Sequence, residues 1–268
     1  MKLSVVIAGE YAPENAFVVW RGYEQSIKKA AAIGYNGVEL ALGGADDVDQ
    51  QKIDEWLHEA GITVSCISTG LTFAQRGLYM THPDTAPRQR AVETFKGLIQ
   101  LAGNWGGLIN VGRARGFVDA GQTRAEVETL FLRCMEQLLP EAERRNVTIM
   151  IEPVNRYESN FINSLDEAAV VLGKLKSANV GIMADLFHMN IEDDDICRSL
   201  ERNSAYIRYV HIADSNRKAP GMGHTDFESI LRALRGMGYD GWLGVEILPS
   251  GDPDAMASAA FDYMRAIL

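Results

Sequence analysis

Strand and helix signals alternate eight times along the chain, and that alternation limits the fold more than any other feature. Short apolar runs fall at Leu3–Ala8, Gly37–Leu42, Thr63–Ser68, Gly107–Val111, Val147–Ile151, Val180–Ala184, Ile207–Val210 and Trp242–Val245. Their length and β-branched content suit strands buried on both faces of a parallel sheet. Between them lie segments of helical spacing: Tyr23 to Ile33, stopping at Gly34; about Gln50 to Ala60, stopping at Gly61; Asp84 to Ala102, stopping at Gly103; and Thr123 to Arg145. Glycine after the last helical turn is a stop signal, because it takes the left-handed conformation without a Cβ penalty. Thr123/Glu126, Ser164/Glu167 and Thr225/Glu228 have the spacing of capping boxes, and Asp252-Pro253 reads as an N-cap with proline at the first helical position.

Regular β–α alternation implies a parallel sheet with helices packed on it. Eight units imply a single (β/α)8 TIM barrel over residues 1–268, a usual size for that fold, with an open doubly wound sheet as the alternative. No Gly-x-Gly-x-x-Gly follows the first run, so a dinucleotide-binding sheet has no support. The segment from Thr69 to Pro83 reads as a long loop of the kind that often carries function.

The stretch from Val147 to Pro249 carries the chemistry. Its four apolar runs lead into Glu152, Asp185, His211 and Glu246. A charge at the end of a buried strand is costly unless it is paired. Each alone could be met by a neighbour, but four metal-ligand types on consecutive strands suggest one shared divalent cation. Active groups of such barrels sit at these strand ends. Three carboxylates and one imidazole suit Mn²⁺, Mg²⁺ or Co²⁺, with Zn²⁺ an option, and Mn²⁺ is the first expectation. Such a cation grips adjacent sugar oxygens and polarises a carbonyl, which eases removal of the proton on the next carbon. Glu152 and Glu246, on the fifth and eighth strands, can approach a substrate from different sides as base and acid, giving inversion.

Bulk properties narrow the partners. A net charge of −10 argues against nucleic acid, which is held by clustered Lys and Arg. No apolar run approaches the roughly 20 residues of a membrane span, and the start reads as a first strand, not a signal peptide. Cys66, Cys134 and Cys197, with no CxxC, read as free thiols of a cytoplasmic protein.

Three segments resemble the xylose-isomerase-like barrel family of sugar isomerases and epimerases: Ile151–Glu158, Ala184–Glu192, and His211–Arg217 followed by Pro220–Phe227. They are most similar to its ketose 3-epimerase branch, the tagatose/psicose type. Thr81-His82-Pro83 and Arg115-Gly116 add a likeness to members acting on keto sugar acids such as 5-keto-L-gluconate. The resemblance implies Glu152, Asp185, His211 and Glu246 as metal ligands and Glu152 and Glu246 as the catalytic pair. It also implies Glu158, His188 and Arg217 as contacts to substrate oxygens. The implied activity is inversion at C3 of a keto sugar or keto sugar acid through an enediolate. An aldose–ketose or inosose isomerase on the same metal is the alternative. A homodimer or a homotetramer is open.

Arg113 and Arg115 follow the fourth strand, and two arginines at a barrel mouth could fork onto a substrate carboxylate or phosphate. A solvated loop pair is the competing reading; the family likeness favours carboxylate binding for Arg115 and is silent on Arg113. In endonucleases of the same superfamily Asp-x-x-His holds a second metal. The third and fourth strands here lead into Thr69-Gly70 and Gly112-Arg113, without the extra histidines, so His188 reads as a donor to substrate. Glu39 could face the lumen, either functional or paired with Arg or Lys. His82 and His224 read as loop residues. Tyr11, Trp20 and Trp105 could stack on a sugar, although aromatic residues are more often core.

Overall fold

The computed structural model describes residues 1–248 and 250–268; Pro249, the far end of the ligand-bearing stretch, lies outside the described residues. Eight strands form the barrel: β1 (Lys2–Ala8), β2 (Gly37–Ala41), β3 (Thr63–Ser68), β4 (Leu108–Val111), β5 (Thr148–Ile151), β6 (Val180–Asp185), β7 (Ile207–Ile212) and β8 (Trp242–Val245). Every pairing is parallel and follows chain order, and β8 pairs back onto β1, closing the ring. The open-sheet alternative is thereby excluded. A two-residue strand, Trp20–Arg21, adds to the end of β1.

The helix boundaries follow the local chemistry. Gly34 and Gly61 cap their helices at φ 112° and 68°. Thr123 and Glu126 form the reciprocal capping box that opens the Arg124–Arg145 helix. Asp252 caps the last helix, with Pro253 in its first turn. The cap expected at Thr225 shifts by one residue: Asp226 accepts from the Ser229 N–H, while the Thr225 N–H donates to Asp214. The third helix runs past Gly103 to Asn104 and turns at Trp105. Within the presumed loop after β3, Gly70–Ala74 forms a short helix. Two short helices, Leu186–Glu192 and Ile196–Arg202, follow β6.

Side chains alternate in and out along a strand, and that period of two builds the lumen. Cys66, Met150, Met183 and Tyr209 form a buried cluster separate from the main core between sheet and helices. Two residues further along β5, β6 and β7 come Glu152, Asp185 and His211, on the same face. Tyr209 stands edge-on to the His211 ring at 5.6 Å between centroids. The plug of apolar side chains therefore forms the floor beneath a polar layer at the C-terminal mouth. No helix among the described residues is long and apolar enough to cross a membrane.

Candidate active site

One donor atom from each of Glu152, Asp185, His211 and Glu246 lies within 4.8 Å of all the others. His211 Nδ1 is 3.1 Å from Glu152 Oε1, 3.5 Å from Glu246 Oε2 and 3.7 Å from Asp185 Oδ2. Octahedral ligands with bonds of about 2.1 Å stand about 3 Å apart in cis and about 4 Å apart in trans. The donor set thus fits one divalent cation after sub-ångström adjustment, and its oxygen-rich character suits a hard or borderline metal.

The imidazole is held from behind. Its Nε2–H donates to both oxygens of Glu39, at 2.9 and 3.0 Å, and both residues are fully buried. That leaves Nδ1 facing the carboxylates, 3.1 Å from Glu152 Oε1, where a metal would take the place of its proton, in the carboxylate–histidine–metal arrangement that fixes a ligand's tautomer. Of the two readings open for Glu39, the pairing with Arg or Lys does not occur; its partner is His211. A register irregularity against β3 at Val38/Glu39 accompanies this inward aim. Gly244 makes the room: a Cβ there would stand 2.7 Å from the Tyr209 ring and 3.0 Å from Glu39 Oε2.

Asn110 Nδ2 donates to Glu152 Oε2 at 2.7 Å, and its own oxygen accepts from the Thr69 N–H. Arg217 donates to Asp185 Oδ2 at 2.7 Å and to Glu246 Oε2. It adopts φ 62° and lies between the rings of Phe17 and Phe187, 4.7 and 4.8 Å from their centroids. Its Nε is buried with no hydrogen-bond partner among the described residues.

Charge states follow from these contacts. Burial alone would raise the Asp185 carboxyl, but Arg217, His188 and His211 hold it well below the usual range. Burial pushes Glu246 up to about 8; His211 and Arg217 oppose that rise, and Glu152 and Asp185 reinforce it. Burial disfavours the His211 imidazolium, yet Glu39, Glu246, Asp185 and Glu152 raise it well above an ordinary histidine. A cation among these groups would replace the proton as the charge that offsets the carboxylates.

His188 is buried, and burial lowers its pKa. Its Nδ1 accepts from the Asn155 N–H and lies 2.8 Å from Asn155 Nδ2, so the proton belongs on Nε2, 3.7 Å from Asp185 Oδ2. Asn155 Nδ2 also donates to Glu158 Oε1 at 3.1 Å. Glu152, Glu158, His188 and Glu246 all line one open-mouthed cavity, walled by Pro13, Ala16, Phe17, Gly70, Leu71 and Ala74.

The two arginines after β4 take different places. Arg115 is fully buried and does not reach the cavity. Its guanidinium donates to the carbonyls of Gly112, Glu152, Phe161 and Ile162 at 2.7 to 3.0 Å. With its donors on backbone oxygens, it cannot also fork onto a substrate carboxylate, so the substrate contact expected of it is corrected to a structural clamp on the ends of β4 and β5. Burial pulls its pKa down to about 10, against Glu152, Glu158 and Glu167. Arg113 lines the cavity instead. Among the remaining candidates, Trp20 and Trp105 donate to Asp254 and Asp54 in the helical layer. Tyr11 bonds Tyr23 outside the cavity. His82 accepts from the Asp84 N–H, and His224 is exposed. Phe17 and Asn110 were not singled out in the sequence, and Asn155 and Phe187 lie in the family-like segments without a role assigned: only the folded ring shows what they touch.

A closed parallel barrel with a carboxylate-rich cluster at its C-terminal mouth has the layout of a metal-dependent barrel enzyme. Residues 27–267 match the family model described as xylose isomerase-like TIM barrel, and the chain belongs to that family. Over 232 residues it is 28% identical to the ketose 3-epimerase of Arthrobacter globiformis, covering 84% of this chain and 79% of that one. Over 115 residues it is 36% identical to 3-dehydro-D-guloside 4-epimerase of Escherichia coli (strain K12), a match that spans only 43% of either chain. The structure of a D-allulose 3-epimerase from Methylomonas sp. in complex with D-allulose superposes with a TM-score of 0.87 at 22% identity, covering 100% of this chain and 97% of that one.

Proposed function

We propose that residues 1–268 form one barrel domain acting as a divalent-metal-dependent epimerase that inverts C3 of a keto sugar or keto sugar acid. The observation that carries the reading is the convergence of Glu152, Asp185, His211 and Glu246 on one point beside the cavity. Those four residues would hold the ion, Mn²⁺ first among the candidates. When bound, it supplies positive charge beside the substrate carbonyl and so lowers the cost of ionising the adjacent carbon.

The chain's own groups do the rest. One of Glu152 and Glu246 takes the C3 proton, leaving an enediolate, and the other returns a proton to the opposite face. The His188 Nε2–H donates to a substrate oxygen, Glu158 accepts from a hydroxyl, and Arg217 donates while holding Asp185 and Glu246 in place. Phe17 and Phe187 keep water from the Arg217 guanidinium. The three free thiols fit a cytoplasmic enzyme.

The test is incubation of the Mn²⁺-loaded protein in D₂O with a panel of 2-ketohexoses and ketohexonates, followed by NMR. Deuterium at C3 in both epimers is the expected result. A shifted carbonyl would point to aldose–ketose or inosose isomerisation, deuterium at C4 would move the inverted centre by one carbon, and no exchange with any substrate would overturn the reading.

A further inference from the structure

Resting on that epimerase reading, we propose that Arg113 selects substrates with an anionic group, carboxylate or phosphate, at the end remote from the ketone. Arg113 is in the short helical turn after β4 and lines the same cavity as Glu152, His188 and Glu246. Its guanidinium lies over the Phe73 ring, 4.7 Å from the centroid. That ring belongs to the Gly70–Ala74 helix, whose Gly70, Leu71 and Ala74 line the cavity.

Arg113 Nε is buried with no hydrogen-bond partner among the described residues. A half-buried guanidinium with an orphaned N–H is an unfavourable place for a charge unless something anionic completes it. The carboxylates of the cluster already have Asn110, His211 and Arg217. The aromatic face limits the arginine's freedom and leaves its edge, where the N–H groups point, for a ligand. A planar fork of donors matches a carboxylate or phosphate in two parallel bonds. Gly112 fixes where the turn starts: a Cβ there would meet Glu152 Oε2 at 2.7 Å, so the chain passes close to the reacting end one residue before Arg113. One substrate can therefore touch Glu152 with its middle carbons and Arg113 with its far end.

The experiment compares the metal-loaded parent with Arg113→Gln and Arg113→Lys. Each is given a 2-ketohexose, the same sugar oxidised to a carboxylate at C6, and its 6-phosphate. Rates come from C3 proton exchange, and binding from calorimetry, which does not depend on turnover. The parent should prefer at least one anionic form. Arg113→Gln should lose roughly 10- to 100-fold on that form, mostly in KM and in calorimetric affinity, the range of a lost charge-assisted hydrogen bond, with little change on the neutral sugar. Arg113→Lys should keep part of the preference. Carboxylate and phosphate arms decide which anion is used. Equal binding of neutral and anionic forms by the parent, or an equal loss on both in Arg113→Gln, would overturn the proposal. Selective anion binding lost in Arg113→Gln but with no exchange on any substrate would support the anion site and sink the epimerase reading instead.

Discussion

Glu39→Gln should weaken metal binding about tenfold without unfolding the barrel. The wild-type carboxylate, wholly buried, takes the His211 Nε2–H on both oxygens at 2.9 and 3.0 Å. Glutamine keeps one acceptor oxygen and nearly the same shape but removes the charge. Hydrogen bonds to charged groups are worth about 1.5–3 kcal/mol against about 0.5–1.5 for neutral ones, so the difference is on the order of 1–1.5 kcal/mol. That corresponds to roughly a tenfold change in a dissociation constant. Glu39→Ala goes further, because it leaves the imidazole N–H unpaired in the lumen at a cost of about 1–3 kcal/mol. Affinities lost on removing such outer partners fall in the range of about 10- to 100-fold. The assay is calorimetric titration of Mn²⁺ into metal-stripped protein, alongside kcat at saturating metal. The expected result is a weaker Kd with most of kcat regained when metal is in excess. Parent-like affinity in Glu39→Gln, with a native circular dichroism spectrum, would show that Glu39 does not position the ligand.

Other substitutions follow from the same contacts. Gly244→Ala puts a methyl 2.7 Å from Tyr209 and 3.0 Å from Glu39 Oε2, and should cost about 1–3 kcal/mol in urea denaturation as well as metal affinity. Arg115→Met strips four backbone carbonyls of their donor and should destabilise by about 3 kcal/mol or more; a stable variant that lost only affinity for a substrate carboxylate would restore the binding role first expected of Arg115. Chelating the metal should lower Tm by several degrees, since an ion at about 100 times its Kd stabilises by about 2.7 kcal/mol, and Asp185→Asn should shrink that shift. Of the three thiols, half-buried Cys197 should react first with a thiol reagent in the native protein, because Cys66 and Cys134 are buried. It should still react more slowly than a free cysteine, since burial and then Asp195, Asp226 and Glu201 raise its pKa.

Much of the barrel was legible because its signals are local and repeat. Each buried strand is a short apolar run, and glycine stops at Gly34 and Gly61 come from backbone sterics alone. The ligand quartet was legible for a related reason: residues two apart share a face, so a charged residue just beyond an apolar run must lie at the strand end. What the sequence concealed depends on where a turn aims its side chains. Arg113 and Arg115 share a short helical turn, and only its geometry sends one arginine into the cavity and the other beneath it. Glu39 was ambiguous because its partner stands 172 residues away across the lumen. Phe17 carried no signal at all, since nothing in its neighbourhood announces that it will cover Arg217. Capping at Asp226 instead of Thr225 turned on a tertiary competitor, the Asp214 carboxylate that takes the Thr225 N–H.

In the proposed enzyme Glu152, Asp185, His211 and Glu246 jointly hold one divalent cation, and anomalous diffraction from crystals of the Mn²⁺-loaded protein would reveal it. The expected map has a single peak in bonding contact with the three carboxylates and with His211 Nδ1, while Nε2 stays on Glu39. A peak bound elsewhere, or none at full loading with Arg217 still bridging Asp185 and Glu246, would contradict it.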